Sequence, residues 1–404
     1  MLFTIAWRNV WRQKVRSLVI IGAMVVGLWG LIFAIGFMSG FMDSYLSNAL
    51  KYEYSHIQVH HPDFKQDQEI KYNIKQGIKK VAEIVTDTNV KAATHRTIVN
   101  AMIGSAKASS GVKVLGVDSL LEKEVTSFDQ LITDGTYFKS VKRNPLLIGE
   151  KLAEKLKVKL RSKIVLTFQN LEGEIVSEAF RVAGIFNAKS PILNETVVMV
   201  NFRDINKNLG DKNLVSEIAV YLNDVDKIEE SQEAISSILP DYRVEKWDKL
   251  APELSLIVQQ SKTNVFILVT IFMTALIFGI INTMLMAVLE RIKELGMLMA
   301  IGMNRIKVFT MIIIETIFLG LVACPVGLFL GHLTISYFNG NGFDLSDYSQ
   351  GLEKFGYETV IYPIISGNHY FMLSMGIFIT TIVASIYPAL KAIKLKPAEA
   401  LRKI

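Results

Sequence analysis

The sequence predicts a membrane protein with four transmembrane α-helices and a large α+β domain inserted between helices 1 and 2. Three observations predict it. Half of the 404 residues are hydrophobic, only 20% are charged and the mean hydropathy is +0.33, too apolar for a soluble chain of this length. The apolar residues gather in four runs, 18–40, 265–289, 308–338 and 371–390, each long enough to cross a hydrocarbon core of roughly 30 Å. Between the first and second runs the composition turns mixed and short β-rich stretches recur.

These observations divide the chain into an amphipathic helix at 1–17, spans at 18–41, 263–289, 308–338 and 371–390, an inserted domain at 42–262, a short connection at 290–307, a loop at 339–370 and a tail at 391–404. In the N-terminal arm, Phe3, Trp7 and Trp11 form one helical stripe and Arg8, Arg12 and Arg16 an adjacent one. That spacing suits a helix lying in the membrane interface, with indoles at headgroup depth and guanidinium groups toward lipid phosphate. The run that follows exceeds a signal-peptide core and has no A-x-A site, so it reads as a retained anchor. Within it Ala23, Gly27, Gly30 and Ala34 share a face, with Gly36 and Gly40 beyond them, a surface on which another helix can approach closely.

Lysine and arginine set the orientation. The arm, the 290–307 connection and the tail together hold thirteen basic and three acidic residues, a local charge of +10 against +6 for the whole chain. All three segments therefore belong on the cytoplasmic side, as an even number of spans requires. The remainder is acidic, so the pI of about 9.0 is a signature of topology. It points to anionic lipid headgroups and away from nucleic acid, which would need one basic patch on a soluble face.

In the inserted domain SHIQVH, VKVLGV, KIVLTF, FRVAGIF, TVVMV and EIAVYL read as strands, and IGEKLAEKLKV and VDKIEESQEAISSIL as helices, the second with Val225, Ile228, Ile235 and Ile238 on its apolar face. No Gly/Ser-rich or Pro-rich linker flanks it, so a stiff junction with its spans is expected. Cys324 is the single cysteine; no intrachain disulfide is possible, and the domain must rest on its core alone. The 339–370 segment, with NGNG and YPIISG, reads as an ordered loop.

Catalytic motifs are absent. There is no phosphate-binding G-x-x-x-x-G-K-[ST], no H-E-x-x-H, no cysteine cluster and no G-x-S-x-G, so the chain binds no ATP by the first route and nothing assigns it catalytic, cofactor-binding or metal-binding residues. His56, His60, His61 and Asp63 could suggest a metal, but His61 points away from the face that His56 and His60 share on a strand, and a solvated strand end is the simpler reading. Glu315 lies about two turns inside the third run. An intramembrane carboxyl is a functional candidate by default; without a second one to form a relay, a hydrogen bond to a threonine or serine of a neighbouring helix or snorkelling to the interface is favoured over proton carriage. Pro325 can kink that helix, and Gly320, Gly327 and Gly331 give it a small-residue surface.

The connection LERIKELGMLMAIGMNRIKVF is more elaborate than a loop needs to be. Ile292, Leu295, Leu298 and Met299 fall on one face, while Glu290, Lys293 and Glu294 can pair along another. Gly302 and Asn304 suit the end of the helix. Such a helix serves either as a surface on which another protein pushes or as one resting on lipid.

ERIKELGMLMAIGMNRIKV resembles the E-R-x-x-E-[IL]-G-x-L-x-A-[IL]-G pattern of FtsX-like ABC-transporter permeases, and YPALKAIKLKPAEALR resembles their C-terminal Y-P-A-x-x-A-x-x-x-x-P-x-x-A-L-R. AWRNVWRQKVRS is similar to their opening helix. SHIQVHHPDF and LLIGEKLAEKLKVKLRSKIVLTF look most like the lipoprotein-releasing, Lol-type branch, with MacB-type exporters as near relatives. Departures are Arg161, where relatives carry glycine, and Met303-Asn304, where small residues are usual.

The resemblance implies a non-catalytic permease in the bacterial inner membrane with both termini cytoplasmic. It would pair with a second copy or a related permease and with a cytoplasmic ABC ATPase dimer that binds the ATP and Mg. Glu290, Arg291, Glu294, Leu295, Gly296, Leu298, Met299 and Gly302 would form the coupling helix; Tyr387, Pro388, Ala389, Pro397, Leu401 and Arg402 carry the C-terminal motif. The implied work is release of lipoproteins for outer-membrane sorting by ATPase-driven motion transmitted to a periplasmic domain. MacB-type export of a small amphiphile or peptide and FtsX-type activation of a cell-wall hydrolase are the alternatives.

Overall fold

The computed structural model describes residues 2–12, 14–188, 190–354 and 357–394. They fall into two compact units: Met1–Met42 with Val258–Leu345 and Val360–Ile404, and Asp43–Ile257 with Ser346–Thr359. Seven helices carry the argument: α1 (Leu2–Arg12), α2 (Lys14–Ala49), α3 (Ser119–Thr126), α4 (Pro252–Glu290), α5 (Ile292–Ala300), α6 (Arg305–Asn341) and α7 (Gly367–Ile393).

The four long helices α2, α4, α6 and α7 are each apolar enough to cross a membrane, and every one extends past the apolar run that announced it. Their outward faces expose Phe266, Ile271, Phe278, Phe329 and Phe371. Water does not tolerate so continuous an apolar surface; hydrocarbon does. Inward, glycines set the spacing. A Cβ on Gly327 would lie 2.9 Å from Leu28 and one on Gly331 2.7 Å from Ile32, both on α2, while one on Gly36 would lie 2.3 Å from Ile335 on α6. The expected α2 face is used differently. Gly27 meets only Leu276 of α4, nothing lies within 4 Å of a Cβ on Gly30, and Ala23 is exposed and Ala34 half-buried. That face is largely open within this chain because α6 packs against the Leu28–Ile32–Ile35 side instead.

The other unit is built on a ten-stranded sheet of β1 (Ile57–His60), β2 (Val90–Gly104), β3 (Ser109–Val117), β4 (Ile132–Gly135), β5 (Pro145–Gly149), β6 (Lys163–Gln169), β7 (Ile175–Phe186), β8 (Val197–Asn201), β9 (Glu217–Leu222) and β10 (Arg243–Lys246). Six strands close on themselves: β2 pairs β3, β3 pairs β8, β8 pairs β5, β5 pairs β7, β7 pairs β6, and β6 returns to β2. Closure removes the edges and encloses a core that includes Ile103, Val114, Leu146, Leu166, Phe180 and Val198. The first half of β2 leaves this barrel and pairs β9, which pairs β1, which pairs β10. That open part is covered by the helices Gly77–Ile84 and Ile228–Ile238. Of the expected face of the latter, Ile228 and Ile235 are buried; Val225 and Ile238 stay exposed, because the helix begins only at Ile228 and dips one narrow stripe into the core.

β2 is the longest strand and was not expected. Its middle, Thr94 to Thr97, is polar yet buried, which hides the alternation that marks a strand. His56 and His60 are also buried, so the solvated strand end is corrected: β1 lies between β9 and β10, not at an edge. His56 Nδ1 accepts from the Leu222 N–H at 2.9 Å, and burial lowers its pKa to about 4.

Candidate functional site at the helix elbow

Helix α4 stops at Glu290, Arg291 leaves helical geometry at φ −98°, ψ 16°, and α5 starts at Ile292. Its other end follows from Gly302, whose φ of +105° suits glycine. The Met303 N–H donates to Leu298 O at 3.0 Å and the Gly302 N–H to Met299 O at 3.2 Å, the paired bonds of a Schellman termination. Asn304 does not end this helix. Its side chain accepts from the Ile306 N–H at 3.1 Å and so starts α6, the ordinary role of asparagine at an N-cap.

The apolar face read from the sequence turns inward. Leu295 and Gly296 are buried and Ile292, Leu298 and Met299 half-buried; Leu295, Leu298 and Met299 join a cluster with Ala6 and Val10 of α1 and Val308 and Met311 of α6. What remains outward is a different stripe: Lys293, Met297 and Ile301, four residues apart, with Met297 52% and Ile301 80% exposed. Two large apolar side chains in the open, Met297 on the nine-residue helix and Ile301 at its C-cap, leave a surface fit for a partner.

The acidic residues are engaged within the chain. Arg16 of α2 pairs with Glu290, and Arg12 of α1 pairs with Glu294; Glu294 also accepts from Arg291 Nε at 3.2 Å. The expected pairing of Lys293 with these carboxylates is thus replaced by arginines from α1 and α2, which the fold carries to the elbow. Partial burial pushes the Glu294 carboxyl up, but Arg12 and Arg291 outweigh it and hold it below the ordinary value.

Glu315 joins the same network. It accepts from Asn9 Nδ2 at 2.6 Å and from Arg291 Nη1 at 3.4 and 3.2 Å. Neither a threonine nor a serine is its partner here: the cation at the elbow and the amide on α1 are, partners that no local spacing could indicate. α1 is itself seated on α6, with Phe3 and Trp7 edge-on to Phe318 at 6.3 and 5.3 Å. It stops at Arg12, and the Ser17 hydroxyl of α2 donates back to Val10 O at 2.5 Å, tying the two helices together. In the C-terminal motif Pro388 and Ala389 are buried within α7 and Tyr387 is exposed; Pro397, Leu401 and Arg402 lie outside the described residues.

The inserted domain holds a second cluster that the sequence did not reveal. Arg96 of β2 grips Glu122 of α3 with two bonds, 3.0 and 2.7 Å, and Glu217 of β9 at 2.8 Å, while His60 Nε2 lies 3.0 Å from the second Glu217 oxygen. A cavity of about 270 Å³ lined by Tyr54, His60, Arg96, Lys113 and Glu217 adjoins it. Among the described residues no group of three or more His, Cys, Asp or Glu side chains is arranged to hold a metal.

Four membrane-length helices, a mixed domain between the first and second, and a short helix between the second and third define a permease-type architecture. The MacB-like periplasmic core domain family matches residues 17–238 and the FtsX-like permease C-terminal family residues 266–397. The chain belongs to this family of ABC transporter permeases. It is similar to an uncharacterised ABC transporter permease of Methanocaldococcus jannaschii, 27% identical over 236 residues, 57% of this chain and 56% of that relative, so that match spans just over half of the relative's length. It is similar as well to the lipoprotein-releasing system transmembrane protein LolC of Haemophilus influenzae, 22% identical over 327 residues and 78% of each chain. Among solved structures the periplasmic region of MacB from Actinobacillus actinomycetemcomitans aligns at 11% identity and a TM-score of 0.36, over 52% of this chain and 97% of that one.

Proposed function

We propose that this chain is the membrane subunit of an ABC machine that releases lipoproteins from the bacterial inner membrane for outer-membrane sorting. The observation that carries the reading is the outward stripe Lys293, Met297 and Ile301 on a short helix whose other face is packed against α1 and α6. A helix held this way moves with its spans when pushed. The basic arm, elbow and tail support a cytoplasmic side for that stripe, where an ATPase dimer binding ATP and Mg would receive it. The inserted domain would then lie outside the membrane, next to the cargo.

The partner contact therefore shifts from the residues the family pattern names to the side of α5 they leave free. Glu290 and Glu294 are satisfied by Arg16 and Arg12, so reversing their charge would disturb the elbow before it disturbed a partner. The open Ala23–Gly30 side of α2 is available to a second copy or a related permease. Similarity to a lipoprotein-releasing protein over most of both chains supports the cargo. The MacB-like core domain supports a second reading, export of a small amphiphile or peptide.

Two measurements test this. Met297→Asp and Ile301→Asp should abolish co-purification of an ATP-binding subunit with the full chain and leave its melting temperature unchanged; persistence of the complex in both refutes the contact. Depletion of the chain should leave lipoproteins in the inner membrane by mass spectrometry, and normal sorting refutes the cargo.

A further inference from the structure

Arg291 occupies the N-cap of α5 and makes no side-chain capping bond. Arginine is the wrong sign for that place: the first turn of a helix presents unpaired N–H groups and the positive end of the macrodipole, which favour Ser, Asp or Asn. Its guanidinium turns instead toward Glu315, 3.2 Å from Oε2. Glu315 is equally out of place. It lies ten residues into α6, about 15 Å along it, only 6% exposed and among apolar neighbours. An unpaired carboxylate at such a depth is costly, and so is a cation at a helix N-terminus. Each removes the other's cost, and only while α5 leaves α4 at the angle that brings them together. Asn9 adds a third arm at 2.6 Å, so α1 is held to the same point.

We infer that Glu315 is the positioning residue of the elbow: through Arg291 and Asn9 it sets the direction of α5, and with it where Met297 and Ile301 are presented. Transmission of a push needs a joint with one defined angle; the Arg12–Glu294 and Arg16–Glu290 pairs at the elbow are open to water, and the Arg291–Glu315 arm is the buried one. The pair with Glu294 stays within the reach of α5 itself, three residues on, and fixes nothing outside it. The inference rests on reading α5 as the seat of an ATPase for its consequence, but not for its geometry.

The geometry is tested on the full chain in nanodiscs of phosphatidylethanolamine and phosphatidylglycerol, with Cys324→Ser and spin labels at Ala300→Cys on α5 and Leu321→Cys, exposed on α6. Pulsed electron resonance should give one narrow distance in the otherwise unaltered chain and a distribution at least twice as wide in Glu315→Ala and in Arg291→Ala. The exchange Arg291→Glu with Glu315→Arg should narrow it again, since a negative charge suits the positive end of the helix dipole and the Asn9 amide can turn its oxygen to the arginine. An unchanged width in Glu315→Ala overturns the inference. A width that the exchange does not restore also overturns it, because it reports lost folding rather than a lost pair. In the complex with the ATP-binding subunit that co-purifies, each single variant should keep the subunit and lower ATP hydrolysis at least tenfold, and the exchange should recover it; hydrolysis unchanged in the single variants overturns the positioning role. Should no such subunit co-purify with the unaltered chain, the functional reading fails and the distance measurement still decides the geometry.

Discussion

Two charged networks of nearly the same chemistry sit in this chain, and they differ in how much water reaches them. In the inserted domain the Arg96 and Glu122 side chains are 4% and 1% exposed. At the elbow the Arg12 and Glu294 side chains are 53% and 47% exposed, with only the Arg291–Glu315 arm reaching inward, at 12% and 8%. A fully desolvated network is worth keeping only if every member is paired, so it fixes one arrangement of the strands and the helix that carry it. A network open to water at one end can exchange partners cheaply. The first therefore belongs to a part that keeps its shape, and the second to a joint.

The largest effect should come from breaking the closed network. Arg96→Ala would leave Glu122 and Glu217 buried without their cation. Removing one partner of such a pair costs about 3–5 kcal/mol, a fall of roughly 6–20 °C in melting temperature for a domain of this size. Calorimetry of the purified chain checks it. A fall under about 2 °C would erase the contrast between the two networks.

A second effect is the pH dependence of the domain. Burial raises the Glu217 carboxyl, but the His60 bond and the Arg96 charge prevail and lower its pKa from 4.5 to about 2. His56, a base, is lowered by burial from 6.5 to about 4. In both cases the unfolded chain holds more protons than the folded one inside the window, so stability is full above the unfolded value and is lost as pH falls. His56 acts between pH 6.5 and 4 and Glu217 between 4.5 and 2, the latter worth about 3 kcal/mol at most. Melting followed from pH 7 to pH 3 should slope downward from about 6.5, and His56→Asn, which can still accept from Leu222, should flatten the part above 4.5. A curve flat to pH 4 in the unaltered chain would show that His56 is not desolvated, and one flat from pH 4.5 to 3 that the network does not hold Glu217 ionised.

The two regions also differ in how far the sequence discloses them. Spans, the glycine that ends α5 and strands such as β6, whose exposed and buried residues alternate, follow local rules of period and turn chemistry, and these were legible. β2 was not, because Arg96 and Thr97 are buried with partners distant in sequence: Glu122 and Glu217 are 26 and 121 residues from Arg96, and Asn206 is 109 from Thr97. Barrel closure through β6 and β2 likewise depends on pairings no window contains. At the elbow the helix and its glycine end could be read, whereas the break at Arg291 and the direction of the faces could not. Amphipathicity says that Leu295 and Met299 share a side; it does not say whether the chain itself or a partner covers that side. The cluster of Leu295 with Ala6 and Val10 of α1, at the far end of the chain, decides it. Arg161 shows the reverse: its φ of +63° is a backbone state in which glycine is at ease, which gives the glycine of the family pattern a physical reason.

The smallest effect tests the open network against its own inner arm. Arg12→Ala removes a pair whose two side chains stay half in water, and exposed pairs are worth about 1 kcal/mol or less because solvent already screens them. The melting temperature should fall by no more than about 4 °C. Adding 0.5 M sodium chloride to the unaltered chain should have a similar effect, since the screening length then drops below about 5 Å. Neither change reaches the Arg291–Glu315 arm, which is buried against Asn9 and Met311. The joint would thus keep its angle while its outer pair opens. If Arg12→Ala destabilises the chain as much as Arg96→Ala does, solvent access is not what separates the two networks, and the elbow is as fixed as the domain.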